Sequence, residues 1–309
     1  MNTENKLPEG FASPTALPEN SKDTDWQEKN QAWWENNPMR YDWNEGIPAG
    51  AFSRAFYEEI DKRFFNDAAR YMPPKESPFD EILPFHELPE LDVLEIGVGN
   101  GSHAQLIAPH SRTYTGVDLT DYAVKSTITR FELFHIEGKI LPMDAEEMAF
   151  PNESFDLIWT WGVIHHSANT GRILSEMYRV LRPGGRAVVM VYHRSFLYYY
   201  ITTALIRGIL AGGFFRGKSL HDLVQLHTDG AIARFYRPWE WQSLISKHGF
   251  HLIDQRIKGQ KSEIFPIPAS KLKGRLMDIT PNCISRFILN TCRQGSFLIT
   301  TIQKPGIGN

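Results

Sequence analysis

The chain has 309 residues, of which 42% are hydrophobic and 22% are charged. That length suits one large domain, or a domain with a sizeable cap, and the apolar share is enough for a buried core. The net charge is only −3, from 33 basic and 36 acidic residues. Composition therefore gives no general electrostatic reason to bind nucleic acid or an anionic membrane surface.

Two features of the sequence favour a cytoplasmic protein. Cys283 and Cys292 are too few for a disulfide framework, and the first residues contain no apolar segment typical of a signal peptide. The most apolar later stretch, residues 196–215, is interrupted by Arg207 and by glycines, which argues against a membrane-spanning helix. We expect no transmembrane segment, and a peripheral membrane contact stays open.

The N-terminal part of the chain divides into two segments of different character. Residues 1–24 are polar and rich in proline, asparagine and serine, which predicts a disordered tail. Residues 25–89 are expected to form an aromatic and helical cap that packs on the main body or over a ligand. Half of the eight tryptophans lie in this segment, at Trp26, Trp33, Trp34 and Trp43. A helix is expected near residues 52–70, with one face formed by Phe52, Ala55, Phe56 and Ile60.

Residues 90–195 alternate short apolar strands with helical patterns. Three helices are expected. One begins near Ser102, one follows Thr120 as its cap, and one has an apolar stripe from Ile173 to Leu181. The expected strands are LDVLEI, YTGVD, HIEGKI, FDLIWT and RAVVMVY. This alternation predicts an α/β fold with a doubly wound, mostly parallel sheet and helices on both faces.

The regular alternation of strands and helices ends after this core. Residues 196–236 are aromatic and punctuated by glycines, and we interpret them as a lid or acceptor-binding insertion. Residues 237–309 return to the core sheet with a helix and two strands, HLIDQRI and SFLITTIQ. A second insertion, at 260–293, separates these strands.

The segment VLEIGVGNGS carries the clearest chemical signal. Glu95, Gly97, Gly99 and Gly101 alternate after a predicted strand, and glycines there let the backbone approach a ligand at an open helix N-terminus. The spacing differs from the G-x-G-x-x-G pattern of dinucleotide-binding proteins. Asp118 ends the next predicted strand, where a carboxylate can accept both hydroxyls of a ribose.

These segments resemble the class I S-adenosylmethionine-dependent methyltransferases, of the small-molecule "type 11" or ubiquinone-methylase-like kind. The resemblance is strongest over residues 90–195. Four segments carry it in the family's order: LEIGVGNGS, YTGVDLT, MDAEEMAFPNESFDLIWTWGVIHH and YRVLRPGGRAVVMVY. It implies the strand order 3-2-1-4-5-7-6 with an antiparallel seventh strand, and S-adenosylmethionine as the cofactor, with S-adenosylhomocysteine as its product.

The resemblance implies that the glycine segment binds the methionine and ribose parts of the cofactor. Glu95 would approach the methionine amino end. Gly97, Gly99 and Gly101 would line the methionine and ribose, and Asn100 belongs to the same cofactor-binding turn.

The resemblance also implies contacts to the rest of the cofactor. Asp118 would hold the ribose hydroxyls, with Leu119 against the adenine. Asp144 would accept a hydrogen bond from the adenine amine, and Ala145 would donate its backbone N–H nearby. Trp161 would lie under the cofactor near its sulfonium.

Four residues after the fourth and fifth strands are candidate catalytic bases: His165, His166, Tyr192 and His193. Ligands of open α/β sheets bind at the carboxyl ends of the strands, where these residues fall. A histidine is suited to removing a proton from an acceptor near neutral pH. Packing or helix capping is the competing interpretation for each of them.

The chain is also distantly similar to cyclopropane-fatty-acid synthases, which have a Glu-His pair after strand four. His165 stands in place of that glutamate, so cyclopropanation is not expected. The N-terminal RYDW resembles a segment that folds over the cofactor in those relatives, which makes Tyr41 a further candidate for cofactor binding. Ordinary hydrophobic docking by the tryptophan-rich segment is the alternative.

The expected partner is a small-molecule acceptor such as a lipid, glycan or secondary metabolite. A hydroxyl acceptor is favoured because two histidines and a tyrosine offer bases, while amine and carbon acceptors stay open. His227, Asp229 and Arg234 of the insertion are further candidates to reach a polar acceptor. No nucleic acid is expected, and a homodimer stays open.

Two other function classes compete with a methyltransferase. A cofactor-binding protein with a regulatory or assembly role is disfavoured by the intact glycine motif and both acidic residues. A nicotinamide oxidoreductase is disfavoured by the glycine spacing. No metal site is expected, because the eleven histidines lack ligand spacing.

Overall fold

The computed structural model describes residues 23–42, 45–267 and 270–306. The predicted disordered tail, residues 1–24, therefore falls almost entirely outside the described residues, and so does Trp43. The first two helices are α1 (Asp23–Asn36) and α2 (Arg54–Tyr71).

An eight-stranded sheet forms the centre of the fold. Its strands are β1 (Asp92–Ile96), β2 (Thr113–Asp118), β3 (Lys139–Pro142), β4 (Phe155–Trp161), β5 (Leu181–His193), β6 (Phe235–Tyr236), β7 (His251–Lys258) and β8 (Phe297–Gln303). The order is β3-β2-β1-β4-β5-β8-β7, with β6 paired to β5 beside this path. β1 to β5 pair in parallel, and β8 runs antiparallel to β5 and β7. The predicted α/β sheet is confirmed, and the two-residue β6 is the strand that sequence patterns missed.

The remaining helices connect the strands and build the insertions. They are α3 (Ser102–Ile107), α4 (Asp121–Phe134), α5 (Thr170–Val180), α6 (Leu220–Gln225), α7 (Pro238–Lys247), α8 (Lys271–Ile279) and α9 (Asn282–Arg286). Residues 196–210 form a π-helix at the start of the first insertion. No helix of the described part of the chain combines the length and apolar character needed to cross a bilayer.

Local sequence signals place the ends of several helices. Thr120 caps α4, because its hydroxyl accepts a hydrogen bond from the N–H of Ala123. Helix α2 begins at Arg54 because Ser53 caps it by accepting from the N–H of Phe56. The predicted face of this helix is partly wrong. Phe52 precedes the helix and Ala55 is exposed, whereas Phe56 and Ile60 are buried as expected.

Both faces of the sheet are covered by apolar clusters. On one face, β1 and β4 pack with α5 through Leu94, Ile158 and Leu174, all fully buried. On the other face, Val93 and Trp159 pack with α2 and α3. This two-sided burial explains why the central strands are apolar at consecutive positions.

A buried ion pair joins α2 to α4. The guanidinium of Arg130 is fully buried, and its Nη1 donates to both carboxylate oxygens of Asp61 at 2.9 and 3.0 Å. The same guanidinium lies 4.5 Å from the ring centroid of Tyr57, and Ser102 of α3 donates to Asp61 at 2.6 Å. Asp61 therefore ties the N-terminal cap to two helices of the core.

We expect Asp61→Asn to lower the free energy of unfolding by about 3 kcal/mol, because it leaves the Arg130 charge buried without a counter-ion. Urea unfolding followed by circular dichroism measures this effect. The exposed Glu58→Gln on the same helix is the matched control and should leave stability unchanged. Adding Arg130→Met to Asp61→Asn should recover part of the loss; equal stability of Asp61→Asn and wild type would contradict the prediction.

Candidate functional site

A cavity of about 330 Å³ lies where β1, β2, β4 and β5 end. Its lining includes Gly97 after β1, Asp118 of β2, Trp161 of β4 and Tyr192 of β5. The chain connections that leave the strands on either side of β1 run in opposite directions. A crevice is therefore left between them at this edge of the sheet. The cavity is therefore at the place where ligands of such sheets bind.

The glycine turn forms one wall of this cavity. The φ angles of Gly97, Gly99 and Gly101 are +83°, +53° and +77°, which residues with a side chain rarely adopt. A Cβ on Gly97 would lie 2.2 Å from a methyl carbon of Val163, whereas one on Gly99 would meet no atom within 4 Å. Gly99 thus leaves open space beside the backbone in the cavity wall, while Gly101 packs against α4 and does not line the cavity.

Asp118 is fixed at the cavity wall by backbone donors. Its Oδ2 accepts from the N–H of Gly99 at 3.1 Å, and its Oδ1 accepts from the N–H and hydroxyl of Thr120 at 3.0 and 2.8 Å. Burial raises the pKa of Asp118, and these hydrogen bonds oppose that shift. The carboxylate is thus oriented in advance to accept hydrogen bonds from a ligand with hydroxyl groups.

Helix α1 lies over this part of the cavity. Gln27 donates to Oδ1 of Asp144 at 2.9 Å and accepts from the N–H of Ala168 at 3.1 Å. Gln31 donates to the carbonyl of Leu119 at 2.8 Å. Asp144, Ala145 and Leu119 all line the cavity. The tryptophan-rich cap therefore packs over the predicted adenine-binding residues.

Two further predicted residues lie at the junction of the cap and the core. Asn100 is buried and donates to the carbonyl of Met39 at 2.7 Å. Tyr41 stacks on Phe64 with ring centroids 5.2 Å apart, and burial raises its pKa. Asn100, Tyr41 and Trp161 all line the cavity.

Glu95 does not line the cavity. It is 1% exposed, and its Oε2 accepts a hydrogen bond of 2.6 Å from the hydroxyl of Tyr114. Burial raises the pKa of Glu95 to about 8, while the hydrogen bond from Tyr114 opposes the shift. The carboxyl is therefore largely protonated at neutral pH, and the structure does not bring it to the cavity wall.

His166 is the histidine after β4 that lines the cavity. Its Nδ1 lies 2.8 Å from the carbonyl oxygen of Ile232, and since a carbonyl only accepts, Nδ1 carries the proton. Burial lowers the pKa of His166 to about 4, so the ring is neutral at pH 7. Its Nε2 has no hydrogen-bond partner among the described residues. The neutral ring thus lines the cavity, while its unprotonated Nε2 is buried without accessible surface.

The other candidate bases have different surroundings. His165 is fully buried between the rings of His166 and Tyr192, at centroid distances of 4.1 and 4.0 Å, and does not line the cavity. His193 also lies away from the cavity, and its Nδ1 donates to the carbonyl of Gly295 at 2.7 Å. Tyr192 lines the cavity, but burial raises its pKa, so its phenol is not a base at neutral pH.

The first insertion supplies part of this site. Arg234 was a candidate to reach the acceptor, but its guanidinium is buried and donates to the carbonyls of Ser167 and Ala168. The N–H of Arg234 donates to the carbonyl of His165 at 2.9 Å. Arg234 therefore fastens the insertion to the loop that carries His166. His227 is exposed.

Sequence reasoning missed Asp67 and His103, which line the cavity. His103 lies among aromatic rings, with Phe79 at 4.9 Å and Trp159 at 5.2 Å between centroids, and burial lowers its pKa to about 3. Neither residue belongs to a recognisable motif, so only the packing of α2 and α3 brings them to the site. Among the described residues, no group of three or more histidine, cysteine, aspartate or glutamate side chains is arranged to hold a metal ion.

Comparisons with known proteins agree with this placement of motifs. Residues 94–189 match the family model described as a methyltransferase domain. The chain is similar to the phthiotriol/phenolphthiotriol dimycocerosates methyltransferase of Mycobacterium leprae (strain TN), with 38% identity over 95 residues, which is 30% of this chain and 34% of that protein. It is also similar to the 27-O-demethylrifamycin SV methyltransferase of Amycolatopsis mediterranei (strain S699), with 30% identity over 97 residues, 30% of this chain and 36% of that protein.

The chain thus covers about a third of the length of these curated relatives. Among solved structures, an S-adenosylmethionine-dependent methyltransferase from Methanosarcina mazei aligns with a TM-score of 0.47 and 16% identity, covering 70% of this chain and 93% of that chain.

The buried Glu95 predicts a pH-dependent stability. Its pKa is about 8 in the folded chain, against the ordinary value of 4.5 for a glutamate side chain, so the folded state binds one proton more than the unfolded state between these pH values. This contribution to stability is fully present below pH 4.5 and is lost as the pH rises towards 8. We expect Glu95→Gln to become more stable relative to wild type over this range, by on the order of 4 kcal/mol.

Urea unfolding of the ligand-free protein at pH 5, 7 and 8.5 measures this difference. The exposed Glu132→Gln is the matched control and should track wild type at all three values. A wild-type curve parallel to that of Glu95→Gln would show that Glu95 is ionised in the folded chain.

Proposed function

We propose that this chain, whose residues 94–189 match a methyltransferase domain, is a class I S-adenosylmethionine-dependent methyltransferase that moves the cofactor's methyl group to a hydroxyl of a small molecule. One observation carries the proposal: the glycine turn, Asp118, Asp144 and the neutral ring of His166 all line a single cavity. Bound S-adenosylmethionine supplies an electrophilic methyl group, whose bond to sulfur breaks with the electron pair retained on sulfur in S-adenosylhomocysteine.

The residues present fit this cofactor. The open space at Gly99 allows close approach to the backbone, and the fixed carboxylate of Asp118 has the chemistry to accept both ribose hydroxyls. Asp144 would accept from the adenine amine, with Leu119 and Ala145 beside it. Gln27 of α1 already donates to Asp144, so α1 would close over the bound adenine.

His166 would act as the base. A hydroxyl is a weak nucleophile until its proton is removed, and Nε2 is the nitrogen of His166 left to take this proton, because Nδ1 donates to the carbonyl of Ile232. The phenols of Tyr41 and Tyr192 stay protonated, since burial raises both pKa values, and would position the acceptor through hydrogen bonds. Because α1 lies over the cavity, it would help to keep water from the reacting groups.

The acceptor class follows from the same cavity. Aromatic rings of Phe64, Trp161, Tyr192 and Phe297 line it together with polar groups, which suits an enclosed small molecule rather than a polymer. The curated relatives, named as methyltransferases of a lipid and of a rifamycin, support a lipid or a secondary metabolite as the acceptor. A free amine already carries a lone pair and needs less help from a base, so a role of His166 as base favours oxygen over nitrogen.

Isothermal titration tests the cofactor assignment. We expect micromolar binding of S-adenosylmethionine and S-adenosylhomocysteine and none of NADH. Asp118→Ala should weaken binding at least about tenfold, because charge-assisted hydrogen bonds are lost. The exposed Asp278→Ala is the control for the lost charge and should bind as wild type does. Unchanged affinity of Asp118→Ala would overturn the assignment, and cofactor binding without methyl transfer to any acceptor would favour a regulatory role.

The low pKa of His166 predicts the pH profile of methyl transfer. Because the pKa is about 4, Nε2 remains unprotonated above that value, so kcat/KM should stay level from pH 8 down to about 5 and fall only near 4. We expect His166→Gln to lower kcat by about 10² or more without changing the Kd of S-adenosylhomocysteine. His193→Gln, outside the cavity, should change kcat less than about tenfold. If His166→Gln kept full activity, His166 would not be the general base, and positioning of the reactants alone would account for the rate of methyl transfer.

A further inference from the structure

The charge of the chain is unevenly distributed, and the two insertions hold a local excess of positive charge. Residues 196–218, at the start of the first insertion, contain three arginine or lysine residues and neither aspartate nor glutamate. Residues 265–293, which make up most of the second insertion, contain five arginine or lysine residues and one acidic residue, Asp278. Both stretches are therefore basic in a chain whose net charge is −3.

The π-helix of the first insertion has an apolar face that the described part of the chain does not cover. A π-helix has i→i+5 hydrogen bonds, so residues four and five positions apart share a face. Tyr199, Thr203 and Gly208 follow this spacing and are buried. Another face carries large apolar side chains that are exposed, at Phe196, Leu205, Ile209 and Leu210. Leu210 is 73% exposed, and Phe215 shortly after the helix is 85% exposed.

Helix α8 of the second insertion is also uncovered, because none of its nine residues is buried. Leu272, Leu276 and Ile279 are spaced at i, i+4 and i+7, which puts them on one face of the helix. The side chains of Leu272 and Ile279 are large and apolar, yet these residues are 62% and 74% exposed. The helix also carries three basic residues, Lys271, Lys273 and Arg275. An uncovered apolar stripe together with lysine and arginine is the pattern of helices that lie in a membrane interface.

The two insertions meet, so their exposed side chains lie on adjoining parts of the molecule. The N–H of Leu197 in the π-helix donates to Oε1 of Gln294 at 3.2 Å. The π-helix and α8 both pack against residues 261–264. Cations of the two insertions are close as well: burial lowers the pKa of Lys273, and the charge of Arg207 lowers it further. Like charges repel each other, so an anionic partner at this place would be attracted by both insertions.

An aromatic group continues this surface beyond the π-helix. The rings of Phe196 and Tyr200 lie 5.8 Å apart between centroids, and Nη2 of Arg237 donates to the hydroxyl of Tyr200 at 2.8 Å. The guanidinium of Arg237 lies 5.2 Å from the ring centroid of Trp239, which is 62% exposed. Tryptophan and tyrosine are enriched where a protein meets lipid head groups, and arginine keeps its charge in water there while its stem lies against apolar groups.

We propose that the two insertions dock this protein on the surface of an anionic lipid bilayer. The exposed leucine, isoleucine and phenylalanine side chains enter the head-group region, and the arginine and lysine side chains face the lipid phosphates. A second copy of the chain fits this surface less well, because a symmetric contact would bring the same basic segments together. A nucleic acid would match the charge but would leave the exposed aliphatic side chains against polar phosphates.

Co-sedimentation of the full chain with lipid vesicles tests the proposal. The probes are vesicles of phosphatidylcholine alone and vesicles in which about one third of the lipid is phosphatidylglycerol. We expect the anionic vesicles to bind at least about tenfold more tightly at about 0.1 M salt, and this preference to shrink at about 0.5 M, because salt screens the attraction. If both kinds of vesicle bind equally, or if neither binds, the proposal is wrong.

Charge reversal on the insertions separates a local effect from one of net charge. Lys218→Glu combined with Arg275→Glu should weaken binding to the anionic vesicles at least about tenfold, because both side chains are exposed on the proposed surface. Lys75→Glu combined with Lys139→Glu is the matched control, with the same charge change at exposed positions outside the insertions. It should weaken binding less than about threefold. Equal loss in both double variants would contradict a defined docking surface.

A second pair of variants tests the apolar part of the surface. Leu210→Ser combined with Ile279→Ser should also weaken vesicle binding at least about tenfold, since less apolar area enters the lipid. Ile128→Ser combined with Ile253→Ser removes exposed isoleucines outside the insertions and should bind as wild type does. Circular dichroism confirms that all these exposed substitutions leave the fold intact.

Two other occupants would be recognised by separate measurements. If the wild type forms a dimer in sedimentation equilibrium that Leu210→Ser with Ile279→Ser dissociates, and vesicles do not bind, the surface belongs to a second copy and the proposal is wrong. Binding of duplex DNA without binding of vesicles would also overturn it. Vesicle binding is measured without cofactor or acceptor, so its outcome is independent of the methyl transfer proposed above.

Discussion

The carboxyl ends of four parallel strands meet at one edge of the sheet, and every feature of the site depends on that arrangement. The apolar residues of β1 and β4 bury both faces of the sheet and hold these ends in register. Polar side chains such as Asp118 therefore lie at the strand ends, beyond the paired backbone of the sheet, where they can face a ligand. The cap and the insertion then enclose the edge, so that groups normally exposed on loops acquire the shifted pKa values of an interior.

Much of the fold could be predicted because its signals are local. The glycine turn needs positive φ angles within five residues, and the cap at Thr120 needs a hydroxyl three residues before an N–H. The strand order came from a resemblance over residues 90–195 and agrees with the observed pairing. The short strand β6 was not predicted, because two residues are too few to show the alternating apolar pattern of a strand. The role of each predicted site residue remains a proposal that these placements support.

The parts that could not be predicted depend on contacts distant along the chain. Gln27 reaches Asp144 across 117 positions, and Ile232 fixes the proton of His166 across 66. The pattern HH after a strand does not tell which ring lines the cavity, because adjacent residues of one type carry no signal that distinguishes them; His166 lines it and His165 does not. Glu95 shows the opposite case: its place in the motif is clear, but the partner that turns it inward is Tyr114 of the neighbouring strand.

The hydrogen bond between Ile232 and His166 has a consequence for how such a protein can diversify. The first insertion, which carries Ile232, also decides which nitrogen of the proposed base is free. Replacing it with the corresponding insertion of a relative would leave every proposed cofactor motif in place, yet it would remove the carbonyl that fixes the tautomer of His166. If this insertion also contacts the acceptor, as proposed, acceptor choice and proton transfer change together when it is exchanged.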